Sequence, residues 1–503
     1  MTRRAAGRAA VGRTTAGRAA AATAVALATT VAVAAAATAV ALATTVAVAA
    51  PGVAATQADG QDGRGGRSLQ GVWQMDGYGL VAVVSGSSLT TYDVTTHSCV
   101  PGWVTGTQDG APGRDGTVRY VLGDNALTLT PQPGGRRAID AEEGGTGTKT
   151  LRRLDALPAL CARPAPDDPL AVFDRFWETF EENYPFFAAK GIDWHAARDE
   201  QRAKITPATT TDQLQQVFID LLTPLKDAHT SLARVTGTGP TGVYSGRRDG
   251  SLKSTPALRD AARKAVDAQL TGPEQEFAVN AQGVSRLGVG RLPDGVGYLR
   301  VSGFDGYATG GFAAQAKELD RALDALLADP DRLDGLVIDV RLNGGGSDAL
   351  GQQIAARLTD RPYVAYRKVA RDDPADPTKF TRPQPVVVRP AHTEHFTGPV
   401  ALLTSSLSIS AAETFTQTLM GRSPHVVRIG ENTQGVFSDV LIKTLSPDFM
   451  VVLPNEKYLT PDGSTFDGPG IPPDIRTPVF TDDESAGLKD SALSTARRVL
   501  GEQ

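Results

Sequence analysis

The stretch Leu402-Leu-Thr-Ser-Ser-Leu-Ser-Ile-Ser-Ala-Ala-Glu413 leads from an apolar run, through a turn of small residues, into the start of a helix. A strand that ends in such a turn lifts one hydroxyl clear of the backbone, and the amides that open the helix point toward it. Nucleophilic catalysis by serine needs both features. Ser410 is therefore a candidate nucleophile, and a helix-capping serine is the alternative interpretation. Three neighbours compete for the role: Ser405, Ser406 and Ser408.

The residues around this stretch alternate between strand and helix patterns. The runs come in this order: strand 296–301, helix 312–328, strand 335–340, helix 347–358 and strand 399–404. Such alternation predicts an α/β fold with a mostly parallel sheet covered by helices. We assign this core to residues 236–480 and a C-terminal tail to residues 481–503.

Two further units are predicted upstream of the core. Residues 167–235 show helical periodicity, with Phe173, Phe176 and Phe180 on one helix face, and are expected to form a helical subdomain. Residues 68–162 contain short runs of alternating pattern separated by Gly, Asp, Asn and Pro. This pattern predicts a small antiparallel β domain, either a sheet or a barrel-like unit.

The first 50 residues have the composition of a secretory signal. Five arginines precede an uncharged, mainly Ala/Val/Thr/Leu run over residues 19–50, and small residues come directly before Pro51. We predict cleavage near Ala50, a linker over 51–67 and a secreted protein. An uncleaved membrane anchor is the alternative, because the run is long enough to span a bilayer. In an exported chain the two cysteines, Cys99 and Cys161, are expected to form a disulfide rather than remain free thiols.

Composition and charge narrow the range of partners. The 503 residues are 41% apolar and 21% charged, and the formal net charge is −5. Loss of the signal removes five arginines and no acid, so the net charge becomes more negative. An acidic protein has no electrostatic attraction for nucleic acid, and nucleic-acid binding is not predicted. His392 and His395 resemble a metal pair but lack further ligands, so a solvated loop is expected and no metal or cofactor is predicted. The oligomeric state stays open.

Two other motifs carry residues suited to catalysis. In Leu225-Lys-Asp-Ala-His229-Thr an imidazole follows the end of an apolar helical run, which projects it into a cleft. The alternative is a histidine that binds the last helix carbonyls. Asn343-Gly-Gly-Gly346 leaves a buried strand, and glycine lets backbone amides approach a reacting oxygen. A simple strand–helix turn is the alternative.

Together these motifs resemble one family of serine peptidases, which comprises the C-terminal-processing (tail-specific) proteases, the tricorn core protease and the repeats of interphotoreceptor retinoid-binding protein. The matching segments are the leading helix and aromatic segment 173–194, the Leu-x-Asp-Gly-His-like 225–230, the Asp-x-Arg-x-Asn-x-Gly-Gly-like 339–346, the Ser-x-x-Glu of 410–413, the Gly-Glu-x-Thr-x-Gly of 430–435 and the Gly-Ile-x-Pro-Asp of 470–474. The resemblance covers residues 170–478. It implies a crotonase/ClpP-like spiral of ββα units.

The resemblance implies a role for each matching residue. Ser410 becomes the nucleophile of a peptidase that works through an acyl-enzyme on peptide or protein substrates. The amides of Gly345 and Ala411 become its oxyanion hole. The processing proteases use a lysine base just after the Gly-Glu-x-Thr segment, where this chain has Val436.

The chain therefore resembles the tricorn-like branch, in which the base is a histidine, here His229. In that branch an orienting glutamate lies three residues before the Gly of the last motif, and Asp467 stands at that position. Ala228 replaces the serine found beside the histidine in tricorn, and no PDZ segment is recognisable between 236 and 295. Lys443 and His425 are rival bases. A non-catalytic module that binds a small ligand is the alternative function.

Overall fold

The computed structural model describes residues 68–502 apart from 238, 281 and 488. The predicted signal and linker lie outside the described residues. No helix in the described part of the chain is long and apolar enough to span a bilayer.

The N-terminal domain is a closed barrel of eight antiparallel strands. The strands are β1 Gly71–Met75, β2 Leu80–Ser85, β3 Ser88–Val94, β4 Cys99–Asp109, β5 Val118–Leu122, β6 Asn125–Pro131, β7 Arg137–Glu142 and β8 Lys149–Leu154. Pairing of β1 with β8 closes the barrel and leaves no free edge. Alternate residues point inward, as in β3, where Leu89, Thr91 and Asp93 are buried. The predicted disulfide between Cys99 and Cys161 is present.

A helical subdomain follows the barrel. Its helices are Pro169–Asn183, Phe187–Lys190, Trp194–Arg202 and Thr211–Leu222. Asp168 caps the first helix by accepting from the amides of Leu170 and Ala171, and Thr210 opens the last helix with a capping box. The apolar faces meet in one core, in which the rings of Phe176 and Phe218 stack with their centroids 4.2 Å apart.

The predicted α/β core is confirmed, and its centre is a seven-stranded sheet in the order β11-β12-β13-β14-β17-β18-β22. The strands from β13 to β22 in this sheet run parallel, and β11 and β12 are antiparallel. Two smaller sheets, β10-β9-β20-β19 and β16-β15-β21, complete the core. The strands are β9 Ser231–Thr236, β10 Gly239–Ser245, β11 Gln275–Val279, β12 Ser285–Arg291, β13 Val296–Val301, β14 Gly335–Asp339, β15 Tyr363–Ala370, β16 Gln384–Val388, β17 Val400–Thr404, β18 Val426–Gly430, β19 Val440–Ser446, β20 Phe449–Pro454, β21 Glu456–Leu459 and β22 Ile475–Arg476.

Helices cover both faces of the seven-stranded sheet. They are Pro256–Asp267, Phe312–Leu326, Asp348–Ala356, Ala411–Met420, Asp482–Gly487 and Ser491–Gly501. The segment assigned as a tail contributes the last of these helices, whose residues Ala492, Leu493 and Ala496 are buried against the sheet. Just before it, Asp490 accepts two hydrogen bonds from the buried Arg341, both of 2.7 Å. The tail therefore belongs to the core.

The barrel is docked on the core through a polar seam. Lys443 of β19 donates to the carbonyls of Tyr78 and Gly79, at 2.8 and 2.7 Å, and to Asp93 at 3.1 Å. On the other side, the Ser347 hydroxyl donates to the Gly144 carbonyl at 2.6 Å. The seam places the loop between β7 and β8 next to the glycine turn of the core.

Candidate active site

Ser410 sits on a strained turn between β17 and the Ala411–Met420 helix. Its backbone has φ 59° and ψ −119°, a conformation that non-glycine residues rarely adopt. Its amide donates to the Val436 carbonyl at 3.1 Å and to the Glu413 carboxylate at 3.2 Å. A strained residue at a helix start, held by two acceptors, is the geometry that exposes a nucleophilic hydroxyl.

The hydroxyls of the three rival serines form hydrogen bonds with backbone groups of neighbouring segments. The Ser405 hydroxyl donates to the Arg341 carbonyl at 2.6 Å, and the Ser408 hydroxyl donates to the Val340 carbonyl at 2.8 Å. Both serines have no exposed surface. Ser406 accepts from the Leu252 amide at 2.9 Å. Each of these hydroxyls therefore braces a neighbouring loop, whereas Ser410 lines a cavity.

The Glu413 carboxylate holds the Ser410 turn in place through hydrogen bonds to backbone amides. This role was not predicted from the sequence. The side chain is fully buried and accepts from the amides of Gly435, at 2.6 Å, and Val436, at 2.8 Å, as well as from Ser410. Burial raises the pKa of Glu413 to about 7, against the hydrogen bonds that lower it. The Ser-x-x-Glu spacing was the available signal, because the third residue of a helix reaches back to its start.

Gly345 packs directly against the candidate nucleophile. Its φ is +99°, and an added Cβ would lie 2.7 Å from the Ser410 Cβ, so only glycine fits. The Gly345 amide donates to the side-chain oxygen of Asn343 at 2.9 Å. A substrate oxyanion at this amide must therefore share or displace that bond. Ala411 opens the helix, where a backbone amide has no acceptor within the helix.

His229 lies in the turn after the helical subdomain. Its amide donates to Asp227 at 2.9 Å, and the Tyr184 hydroxyl donates to the same carboxylate at 2.8 Å. The imidazole Nδ1 is buried and has no hydrogen-bond partner among the described residues. Burial lowers the pKa of His229, and Asp227, Asp439 and the Ser438 carbonyl oppose this effect. The imidazole is therefore suited to accept a proton at neutral pH.

Asp467, the predicted orienting carboxylate, has other partners in this structure. It accepts from the Phe437 amide at 3.2 Å and from the Thr465 hydroxyl. Burial raises its pKa to about 7, and the charges of Asp227 and Glu413 act in the same direction. The carboxylates whose charge acts on His229 are Asp227 and Asp439. Sequence reasoning missed these two, because neither lies in the motif that carries the orienting acid in the resembled branch.

The rival bases are occupied by other partners. Lys443 is 3% exposed and saturated by its bonds in the seam. His425 pairs with Asp474 at 3.1 Å on the surface. His395 is exposed and contacts its neighbour Thr393. Within the described ranges, no group of three or more His, Cys, Asp or Glu side chains is placed to hold a metal ion.

A cavity of about 1420 Å³ joins the candidate residues to the barrel. Its core-side lining includes His229, Gly345, Ser410 and Asp439. Its barrel-side lining includes apolar residues from the barrel interior, such as Met75, Leu89, Leu127, Leu129 and Leu151. The structure thus brings Ser410 and His229 to one cavity that has the barrel as its opposite wall.

Two protein-family models match the chain. Residues 295–477 match peptidase family S41, and residues 166–223 match the Tricorn protease C1 domain. These two matches support the tail-specific-protease-like family of serine peptidases that the motifs predicted. The chain is thus a serine-type peptidase, a hydrolase. No curated protein sequence matches it.

Among solved structures, one shares the fold and two others are less similar. A putative peptidase from Parabacteroides merdae is 23% identical with a TM-score of 0.54, and the match covers 67% of this chain and 97% of that one. Mature CPAF complexed with lactacystin is 13% identical with a TM-score of 0.47, over 66% of this chain and 97% of that one. The tricorn protease is 15% identical with a TM-score of 0.41, over 84% of this chain and 45% of that one.

Proposed function

We propose that the chain is a secreted peptidase in which Ser410 is the nucleophile and His229 is its base. The observation that carries this proposal is that a strained, helix-start serine and a buried imidazole line the same cavity. The arginine-rich start and apolar run of the first 50 residues support export. The disulfide is typical of exported proteins.

The reaction divides into two proton-balanced steps. The Ser410 hydroxyl attacks the scissile carbonyl while His229 takes its proton, and the same proton then passes to the leaving amine as the C–N bond breaks. Water repeats the sequence on the acyl-enzyme, with His229 accepting the water proton and returning it to Ser410. The lowered pKa of His229 keeps it in the neutral form that the first step requires.

The oxyanion is assigned to the amides of Gly345 and Ala411. Gly345 lies beside the nucleophile and Ala411 follows it in the helix, so both amides belong to segments in contact with the reacting oxygen. Removing one oxyanion donor typically costs about 2.7–4 kcal/mol of transition-state stabilisation. Asn343 holds the Gly345 turn in place until substrate competes for the amide.

The resemblance assigns the orienting carboxylate to Asp467. In this structure the Asp467 carboxylate accepts from the Phe437 amide and the Thr465 hydroxyl, one on each oxygen, which leaves lone pairs for a further donor. Comparison of Asp467→Asn with Asp439→Asn tests the assignment through the pH profile of kcat/KM. If Asp467 orients the base, its variant loses at least about tenfold in kcat and the Asp439 variant retains more activity. The reverse ranking assigns the role to Asp439.

The proposed function is tested by hydrolysis of a mixed peptide library by the wild-type protein, Ser410→Ala and His229→Ala. Cleavage by the wild type and its loss in both variants supports the peptidase. If the wild type cleaves nothing but binds an apolar ligand with unchanged affinity in both variants, the chain is a ligand-binding module of the same fold.

A further inference from the structure

A group of charged side chains lies between the barrel and the core, beside the catalytic cavity. This group, called here the seam cluster, has five carboxylates and two ammonium groups: Asp140, Glu142, Asp348, Asp439, Glu456, Lys149 and Lys368. Six of the seven line the space between the barrel and the core. The seventh member, Asp348, accepts a hydrogen bond from the barrel, from the Thr146 hydroxyl at 3.2 Å. Acids therefore outnumber bases in this cluster, and three of the acids, Asp140, Asp348 and Glu456, are less than a tenth exposed.

Four of the five carboxylates have an ion-pair or hydrogen-bond partner that compensates their charge. Lys368 lies 2.8 Å from Asp439 and 3.1 Å from Glu456. Lys149 pairs with Glu142. Asp348 accepts from the Thr414 hydroxyl at 2.6 Å and from the Tyr458 hydroxyl at 3.3 Å. These contacts use both lysines of the seam cluster.

Asp140 is the carboxylate that remains. It lies in β7 and is 2% exposed, and its Oδ1 is buried without a hydrogen-bond partner among the described residues. Burial and the charge of Glu142 raise the pKa of Asp140 to about 7, and Lys149 only partly offsets them. A buried carboxylate without a donor is costly unless a cation or a hydrogen bond compensates it. A ligand that brings a cationic nitrogen would supply what the side chain lacks.

The position of Asp140 connects it to the site of hydrolysis. Four residues further along the chain, the Gly144 carbonyl accepts from the Ser347 hydroxyl. Ser347 follows the glycine turn whose Gly345 packs on Ser410. An extended chain rises by about 3.3 Å per residue, so Asp140 lies within about 13 Å of the hydrogen bond between Ser347 and Gly144. An extended peptide of about four residues spans the same distance. Asp140 and Ser410 line the same cavity.

We propose that Asp140, supported by Glu142, forms a subsite for a cationic nitrogen of the peptide substrate. The chemistry fits either the free α-ammonium group at the substrate N-terminus or a lysine side chain. The inference rests on the proposed function, because it gives a substrate class to the same cavity. It also gives the barrel a role, as the wall that selects which peptides reach Ser410.

The test compares kcat/KM for two matched pairs of peptides. One pair differs only in a free or acetylated N-terminus, and the other, N-acetylated, differs only in lysine or norleucine. The variants are Asp140→Asn and a control, Asp155→Asn, which changes an exposed barrel carboxylate with 95% of its side chain accessible. Because Asp140 is close to half-protonated at neutral pH, the asparagine variant is expected to fold.

The wild type and the control are expected to prefer the cationic member of one pair by at least about tenfold, the usual scale of a charge-assisted hydrogen bond. Asp140→Asn is expected to reduce that ratio to within about threefold. The peptide pair whose ratio changes shows whether the subsite binds the substrate N-terminus or a lysine side chain. If Asp140→Asn does not fold, Glu142→Gln is measured in the same way and must also reduce the ratio.

Three results overturn the inference. An active wild type without preference in either pair refutes it alone, and so does a preference that Asp140→Asn retains. A wild type that hydrolyses none of the peptides and whose Ser410 resists a fluorophosphonate refutes the proposed function and the inference with it. The two failures are therefore distinguishable.

Discussion

Replacement of Lys443 by methionine tests whether this lysine stabilises the contact between barrel and core or acts as the catalytic base, the rival role that the sequence left open. In the structure its ammonium group donates to two barrel carbonyls and to Asp93, and both charged side chains are less than a tenth exposed. Lys443→Met leaves the Asp93 carboxylate buried with one remaining donor, the Thr444 amide at 2.9 Å. Breaking a buried pair in this way typically costs about 3–5 kcal/mol.

The assay is chemical denaturation, combined with the rate of fluorophosphonate labelling per folded molecule. We expect Lys443→Met to lose about 3–5 kcal/mol of unfolding free energy while its labelling rate stays within about twofold of the wild type. The double variant Lys443→Met/Asp93→Asn should recover part of the loss, because no unpaired charge is then buried. Arg498→Met, which breaks an exposed pair with Glu502, should cost about 0–1 kcal/mol. Full stability with abolished labelling would refute the reasoning and make Lys443 the base.

The remaining predictions concern the proposed nucleophile and base. Because burial lowers the pKa of His229, kcat/KM should rise through an apparent pKa below the ordinary histidine value of 6.5. A rise centred above pH 8, measured with a neutral peptide, would indicate a lysine base. Gly345→Ala should reduce kcat by at least about 10²-fold, since its Cβ collides with Ser410, whereas the Cβ of Gly344→Ala meets no atom within 4 Å and should change kcat little. Equal losses in the two alanine variants would contradict this account.

The sequence predicted the parts of the site that depend on local pattern. The serine turn follows from a strand, small residues and a helix start, and the position of His229 follows from the end of an apolar helix. The α/β core followed from alternating strand and helix periods. The short alternating runs predicted the β domain, but closure of the barrel depends on pairing β1 with β8, about 80 residues away.

The parts that could not be predicted depend on contacts between distant segments. Glu413 binds amides 22 and 23 residues downstream, and the charge of Asp439 acts on a histidine more than 200 residues away. Neither contact has a period or a spacing that one sequence displays. The assignment of Asp467 came from resemblance alone, and the structure gives this residue other partners. Its role in orienting His229 stays a prediction.

Activation of Ser410 by His229 can be measured directly by fluorophosphonate labelling, with the modified residue located by mass spectrometry. We expect one adduct, on Ser410, that forms at least about 10³-fold more slowly in His229→Ala. An adduct on another serine, no adduct, or an unchanged rate in the variant would contradict it.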